Sequence, residues 1–402
     1  MTETRQVSAP TSWPAVSLAI GAGVLAAFQV GKVIIALPEV RESLGMDLAT
    51  AGVLLSSYTI VGALLGVVTG RVVDKLGRER VLVACLVILG AGALLGAAAP
   101  TTALLLASRM VEGFGFMGVV IAAPALINQQ TAPRDRRIAL GMWGIYMPLG
   151  QVLIMLAAPF VLSLVGWRGL WAANGLLLVG YAAVATVVLR GGLREHHGRS
   201  VHHAPDSSSI LRQRAPVLLA LVFGFYSLQY LAVVGFLPTI YAEAGLSGAT
   251  VGVLTAIVVF GNVVGNVVGG WLLHRGVIAG TLMIVGGVAM GASAVVVYSD
   301  AAGFGLSFAA AVAFATFGGL IPASVFVAIP LLAPSPGLIG RANGLVVQAS
   351  NIGSIIGPPL VGLLAGQVGS FELSPLVLST SAAVGCLAAV VIRAMEREIP
   401  AR

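Results

Sequence analysis

The sequence predicts an all-α membrane protein in which twelve transmembrane helices form two pseudo-symmetric six-helix bundles. Three observations predict it. Of the 402 residues, 58% are hydrophobic and only 9% are charged, whereas a soluble domain carries about 25% charged residues. Apolar runs near the ~20 residues that cross a bilayer recur along the whole chain, and they are continuous, unlike the alternating segments of a membrane β-barrel. One stretch of the first half also returns in the second.

Residues 1–14 are polar and read as a cytoplasmic tail. The apolar run behind them is long enough to stay in the membrane as a span and is not read as a cleaved leader. Apolar runs bounded by polar residues, Gly or Pro then centre near residues 26, 60, 90, 115, 150 and 180, and again near 227, 262, 287, 315, 353 and 383. Residues 15–190 are the N-terminal six-helix bundle, 216–393 the C-terminal one, and 394–402 a second tail. Between the bundles, residues 191–215 include "LREHHGRSVHHAPDSSS". That composition is too polar to bury a core, so it reads as a cytoplasmic linker. Its histidines could hold a transition metal weakly, but the segment reads as solvated chain and no metal is expected. Cys85 and Cys386 both lie inside apolar runs, which argues against a disulfide framework.

The 22 Lys and Arg residues sort sharply once the spans are placed. With the N-terminus inside, the inner group is Arg5, Arg71, Lys75, Arg78, Arg80, Arg134, Arg136, Arg137, Arg190, Arg194, Arg199, Arg212, Arg214, Arg275, Arg341, Arg393, Arg397 and Arg402. Only Arg41 and Arg168 fall outside, and Lys32 and Arg109 lie within spans. The positive-inside rule therefore puts both termini in the cytoplasm of a cell whose inner membrane holds the chain. The formal charge of +7 is thereby a topology signal and calls for no nucleic acid.

Shifting the sequence by 200 lays "LPEVRESLGMDLATAGVL" on "LPTIYAEAGLSGATVGVL". Leu37, Pro38, Gly45, Ala49, Thr50, Gly52, Val53 and Leu54 recur as Leu237, Pro238, Gly245, Ala249, Thr250, Gly252, Val253 and Leu254. Gln29 falls on Gln229. One residue out of step, Gly62 and Gly66 match Gly261 and Gly265, and at a shift of 203 "ALG" with Gly150 resembles "ANG" with Gly353. Two parallel repeats are a transporter architecture, with the solute site near the midplane between them.

The loop after the second span, "GRVVDKLGRER", resembles the signature of the major facilitator superfamily, with Gly70, Asp74, Gly77, Arg78 and Arg80 in its positions. "RMVEGFGFMG" is similar to that superfamily's fourth-helix motif, with Arg109 and Gly113 in register, and "GWRGLW" and "NIGSIIGPPLVG" resemble segments of its sixth and eleventh spans. "GK" followed by "ALPEVRESLGM" resembles the cyanate and nitroimidazole transporter-like branch. There are departures: His274 replaces the aspartate in the second-half counterpart "GWLLHRG", the fifth span lacks a Gly-Pro pair, and Glu112 stands where many relatives carry glutamine. The resemblance implies a cytoplasmic gate in which Asp74, placed in the loop after a span ending near Gly70, faces the start of the eleventh helix near Arg341 and Gly344. The physical basis is the attraction of a helix N-terminus for an anion; the alternative is a loop that serves only as a charged topology anchor.

A lysine at the centre of a membrane helix costs roughly 2.5–3.5 kcal/mol on insertion scales, so Lys32 needs a purpose. Lys32, Arg109 and Glu112 are the charges within the spans, which gives a site of about one net positive charge. Anions suit such a cavity. Lys32 shares a helix face with Gln29 and reads either as a ligand or as a side chain that snorkels toward the interface near Pro38. Arg109 and Glu112, three residues apart, read either as a structural pair or as a proton-coupling pair in which Glu112 takes up a proton as solute binds. Tyr226, Gln229 and Tyr230 form a stripe on the seventh span. Tyr146 with Gln151, Asn262 with Asn266, and Gln348 with Asn351 could complete a polar lining, or simply bond helix to helix.

No phosphate-binding loop is present, and "GFGFMG" lacks the preceding strand of a dinucleotide site. No cofactor and no catalytic residues are therefore expected. These readings converge on a secondary active transporter of a small anion, imported with protons by alternating access, working as a monomer among membrane lipids. Export of drugs or amphipathic metabolites is the alternative. A non-transporting membrane sensor is disfavoured because the linker is too small for a signalling domain, and a membrane enzyme because no acidic or histidine cluster appears.

Overall fold

The computed structural model describes residues 10–189, 210–299, 301–332, 335 and 338–398, with backbone alone for 65–75 and 137. Residues 1–9 and 399–402 of the expected tails, most of the linker with its histidines, and the Asp74 side chain lie outside the described residues. Helix α1 already begins at Trp13 and α13 runs on to Arg397, so the expected tails at 1–14 and 394–402 are shorter than the sequence suggested. The first half comprises α1 (Trp13–Leu44), α2 (Leu48–Leu76), α3 (Arg78–Ala97), α4 (Thr102–Gln130), α5 (Arg136–Gly144) and α6 (Tyr146–Leu189). The second comprises α7 (Arg214–Glu243), α8 (Gly248–His274), α9 (Ala279–Val297), α10 (Phe304–Gly318), α11 (Leu320–Leu332), α12 (Ile339–Val368) and α13 (Ser374–Arg397).

Helix α6 has 44 residues, about 66 Å at 1.5 Å per residue, which is twice a ~30 Å hydrocarbon core. It is two spans joined at Gly166, whose φ of 64° and ψ of −176° fall in a region open almost only to glycine. Glu39 of α1 accepts a hydrogen bond from the Trp167 N–H at 2.9 Å, and so caps the second of these spans. Arg168 reaches the Ala99 carbonyl at 3.0 Å. Helices α5 and α6 together give spans five and six, and α10 with α11 gives span ten, so the described residues hold the twelve expected spans. Large apolar side chains such as Leu95, Phe160, Leu164, Val187 and Leu387 face outward, as lipid-facing surface requires.

The repeat has structural counterparts where α1 and α7 end and α2 and α8 begin. Gly45 and Gly245 take left-handed φ values of 62° and 81° and end α1 and α7, where a Cβ would be strained. Asp47 caps α2 through the Thr50 N–H at 2.7 Å, and Ser247 caps α8 through Thr250. The halves meet along α2–α12, α6–α8 and α1–α7. Helix α2 continues through Gly70 and Asp74 to Leu76, so Asp74 stands on its last turn and not in a loop. Gly77, at φ 90°, then makes the turn into α3.

Candidate functional site

Two features occupy the middle of the molecule, a sealed charge cluster and an open cavity. In the cluster, the Lys32 ammonium lies 3.0 Å from Glu112 Oε1, donates to Gln29 Oε1, and sits 4.6 Å from the centre of the Trp171 ring. The Arg109 guanidinium bonds the other Glu112 oxygen and lies 5.5 Å from the centre of the Tyr58 ring. Lys32, Arg109 and Glu112 are all fully buried. Gly92 of α3 makes the room: a Cβ there would come within 2.9 Å of Glu112 Cγ. One carboxylate thus serves two cations. Gln29 Nε2, Arg109 Nε and Nη2, and Trp171 Nε1 remain without acceptors.

The Lys32 ammonium does not snorkel; it points into the bundle and is paired. Arg109 and Glu112 do pair, as their spacing allowed. Lys32 as the third member was not foreseen, because its partner is 80 residues away on another helix.

The cavity has a volume of about 830 Å³. It lies between the halves, toward the face at which α1 begins and α13 ends, the terminal face. Of the residues expected in a lining, Tyr146, Gln151, Tyr226, Tyr230, Asn262, Asn266 and Asn351 are on its wall. Asn262 donates to the Tyr226 hydroxyl at 3.0 Å. Tyr226 and Tyr230 stack at 5.6 Å, and Trp143 stacks on Tyr146 at 4.1 Å. Lys32, Gln29, Arg109, Gln229 and Gln348 are absent from the wall. Gln229 is buried and donates to the Phe225 carbonyl at 3.0 Å, while Gln348 bridges the halves to the Ala63 carbonyl at 2.7 Å. Tyr58, Phe116, Trp143, Ser227, Phe326 and Ser350 also line the cavity. Of these, Tyr58 had a legible signal, the polar run "SSYT" inside an apolar span. Among the described residues, none on the wall is charged.

On the opposite face the halves are pressed together. Arg41 of α1 and Glu243 of α7 approach to 3.9 Å across a shallow depression of about 400 Å³. On the terminal face, Arg78 donates to Gln129 at 3.0 Å within its own half, and Arg80 is exposed. Among the described residues, no cluster of His, Cys, Asp and Glu could hold a metal.

The model of the Major Facilitator Superfamily matches residues 19–334 and 219–402. The puromycin resistance protein of Streptomyces alboniger is 31% identical over 40% of this chain, which spans only 32% of that relative's length. The probable sulfoacetate transporter of Cupriavidus necator is 22% identical over 89% of this chain and 88% of its own. Among solved structures, an inward-facing bacterial homologue of the human lysosomal transporter Spinster superposes with a TM-score of 0.78 at 16% identity, covering 97% of this chain and 100% of that one. At that identity the likeness speaks for the fold.

Proposed function

The chain belongs to the major facilitator superfamily, a family of transporters and not of enzymes, and from that premise we propose that it moves a small anion into the cell together with protons, by alternating access. The observation that carries this reading is the sharing of Glu112 by Lys32 and Arg109 in full burial. Two cations on one carboxylate leave one positive charge uncompensated, and an unpaired buried charge draws in a counter-ion. A proton delivered to Glu112 releases both cations to the arriving anion, so proton and anion enter as a neutral pair. The sulfoacetate relative, aligned over nearly the whole chain, supports the same solute class.

The two bundles, 15–190 and 216–393, rock about the cavity, with 191–215 linking them and both termini cytoplasmic in the inner membrane. The cavity then faces the cytoplasm and the Arg41–Glu243 pair closes the outer side. Gly70, Asp74, Gly77, Arg78 and Arg80 form the cytoplasmic gate that must close in the other state. The protein acts as a monomer in lipid.

The uncharged, aromatic wall of the cavity favours a second reading, export of an amphipathic drug or metabolite, in keeping with the puromycin resistance relative. Proteoliposomes separate the two. Uptake of radiolabelled sulfoacetate, small carboxylates and cyanate is measured with and without an inward proton gradient. Gradient-driven uptake that survives Lys32→Arg and is lost in Lys32→Ala supports the anion reading. Equal rates in both variants, or extrusion of puromycin with no anion uptake, overturns it.

A further inference from the structure

The charge cluster and the cavity meet at Tyr58. Tyr58 lines the cavity, its ring face lies over the Arg109 guanidinium, and it meets Phe116 edge-to-face at 5.4 Å and 84°. Behind the ring, Arg109 Nε and Nη2 are fully buried without an acceptor. A buried donor without a partner is a rarity that calls for an explanation. A π face compensates only part of what an acceptor would supply.

We propose that Tyr58 is a movable partition, the residue that decides which solutes in the cavity reach the unpartnered N–H groups of Arg109. The backbone beneath it is suited to movement. Ser56 bonds the Gly52 carbonyl at 3.0 Å, Ser57 the Leu54 carbonyl at 3.0 Å, and Thr59 the Ser56 carbonyl at 2.6 Å. Hydroxyls that bond back to the preceding turn in this way compete with the helix ladder and bend helices. Three of them flank Tyr58 within four residues. Helix α2 is also held to the other half by Gln348 at Ala63, so rocking of the halves pulls on this softened turn. Gly113 of α4 lies against the Tyr58 backbone, where a Cβ would come within 3.1 Å of its Cα. Helix α4, which carries Arg109 and Glu112, therefore follows α2 closely. The ring sets the size threshold: a compact anionic head passes when it swings aside, and a bulky one remains in the cavity.

The proposal rests on the anion reading for its solute and on geometry for the partition, and two measurements separate them. Full-length protein in nanodiscs is treated with phenylglyoxal, and modification of Arg109 is quantified by peptide mass spectrometry. Tyr58→Ala is expected to raise that modification at least tenfold, while Tyr58→Phe, which keeps the ring, stays at the wild-type level. In proteoliposomes, Tyr58→Ala is expected to raise benzenesulfonate uptake relative to formate uptake. If Tyr58→Ala does not fold, Tyr58→Leu removes the ring at smaller cost in volume and takes its place. Unchanged Arg109 modification in a folded ring-less variant overturns the partition. Raised modification without uptake of any anion upholds the partition and removes the anion as its solute.

Discussion

Gly52 packs directly on Pro359, and the same relationship recurs 200 residues away, where Gly252 packs on Pro159 with its prolines separated by the same interval. A Cβ on Gly52 would lie 2.6 Å from Pro359 N, and one on Gly252 would lie 2.6 Å from the Met155 carbonyl oxygen and 3.3 Å from Pro159 Cδ. Both contacts join opposite halves, α2 to α12 and α6 to α8, on the side away from the cavity. The added methyl would meet backbone at Gly52, and backbone together with the closed Pro159 ring at Gly252, so no rotamer change relieves it.

Gly52→Ala and Gly252→Ala should therefore open the closed face. Overpacking costs about 1–3 kcal/mol, which shifts the closed-to-open ratio about 5- to 150-fold. Maleimide labelling of Val40→Cys, at a position with 0% exposure in this state, should rise by that factor in either variant, and transport should fall. Labelling unchanged in both would show that the seams do not hold the closed state.

The charge cluster predicts an order of stabilities that runs against intuition about lysine. Glu112→Gln leaves Lys32 and Arg109 facing each other without a counter-charge, and breaking a buried ion pair from one side costs about 3–5 kcal/mol. Lys32→Met leaves Arg109 and Glu112 as a neutral pair. Thermal unfolding in detergent should show a large loss for Glu112→Gln and little or none for Lys32→Met. The reverse order would mean that the excess charge is compensated by a group outside the cluster.

Much of this architecture was legible because it depends on local pattern. Span length, glycine and proline punctuation and the 200-residue repeat are properties of short windows, so twelve spans could be placed, including the two that run on through Gly166. The repeat is one of shape and not of chemistry. Gln29 accepts from Lys32, whereas Gln229 at the same register bonds its own helix. The stripe with Tyr226 and Tyr230 suggested Gln229 as a lining residue, yet only the two tyrosines are on the wall. The Arg109–Glu112 pair was open to inference from its i, i+3 spacing. The Lys32–Glu112 pair and the Tyr58 ring over Arg109 join different helices, and no sequence window contains both partners.

The junction of the fifth and sixth spans carries a prediction of its own. Gly166 holds a backbone conformation that costs other residues about 1–3 kcal/mol, and a Cβ there would come within 3.0 Å of Glu39 Oε1. Gly166→Ala should lose that stability and also displace the cap. Glu39→Ala, which removes the acceptor for the Trp167 N–H, should cost about 0.5–2 kcal/mol, and Glu39→Gln should retain most of it. Melting temperatures in that order check the assignment; equal losses for Glu39→Gln and Glu39→Ala would point to the charge and not the hydrogen bond.

The caps of α2 and α8 separate a pH effect from a fold effect. Hydrogen bonding to Thr50 holds the exposed Asp47 carboxyl below the usual carboxylate range, while Ser247 at the matching position does not titrate. A carboxyl whose folded value is depressed contributes its stability fully above its unfolded value, near 4. That contribution is lost as pH falls through the folded value. The first turn of α2 should thus fray on acidification below about pH 4, and the first turn of α8 should not. Hydrogen-exchange protection factors of the Thr50 and Thr250 amides, compared across that range, read the difference. Asp47→Asn keeps a capping side chain without the titration and should flatten the Thr50 profile. If the Thr50 profile keeps its slope in that variant, the acid sensitivity belongs to another group.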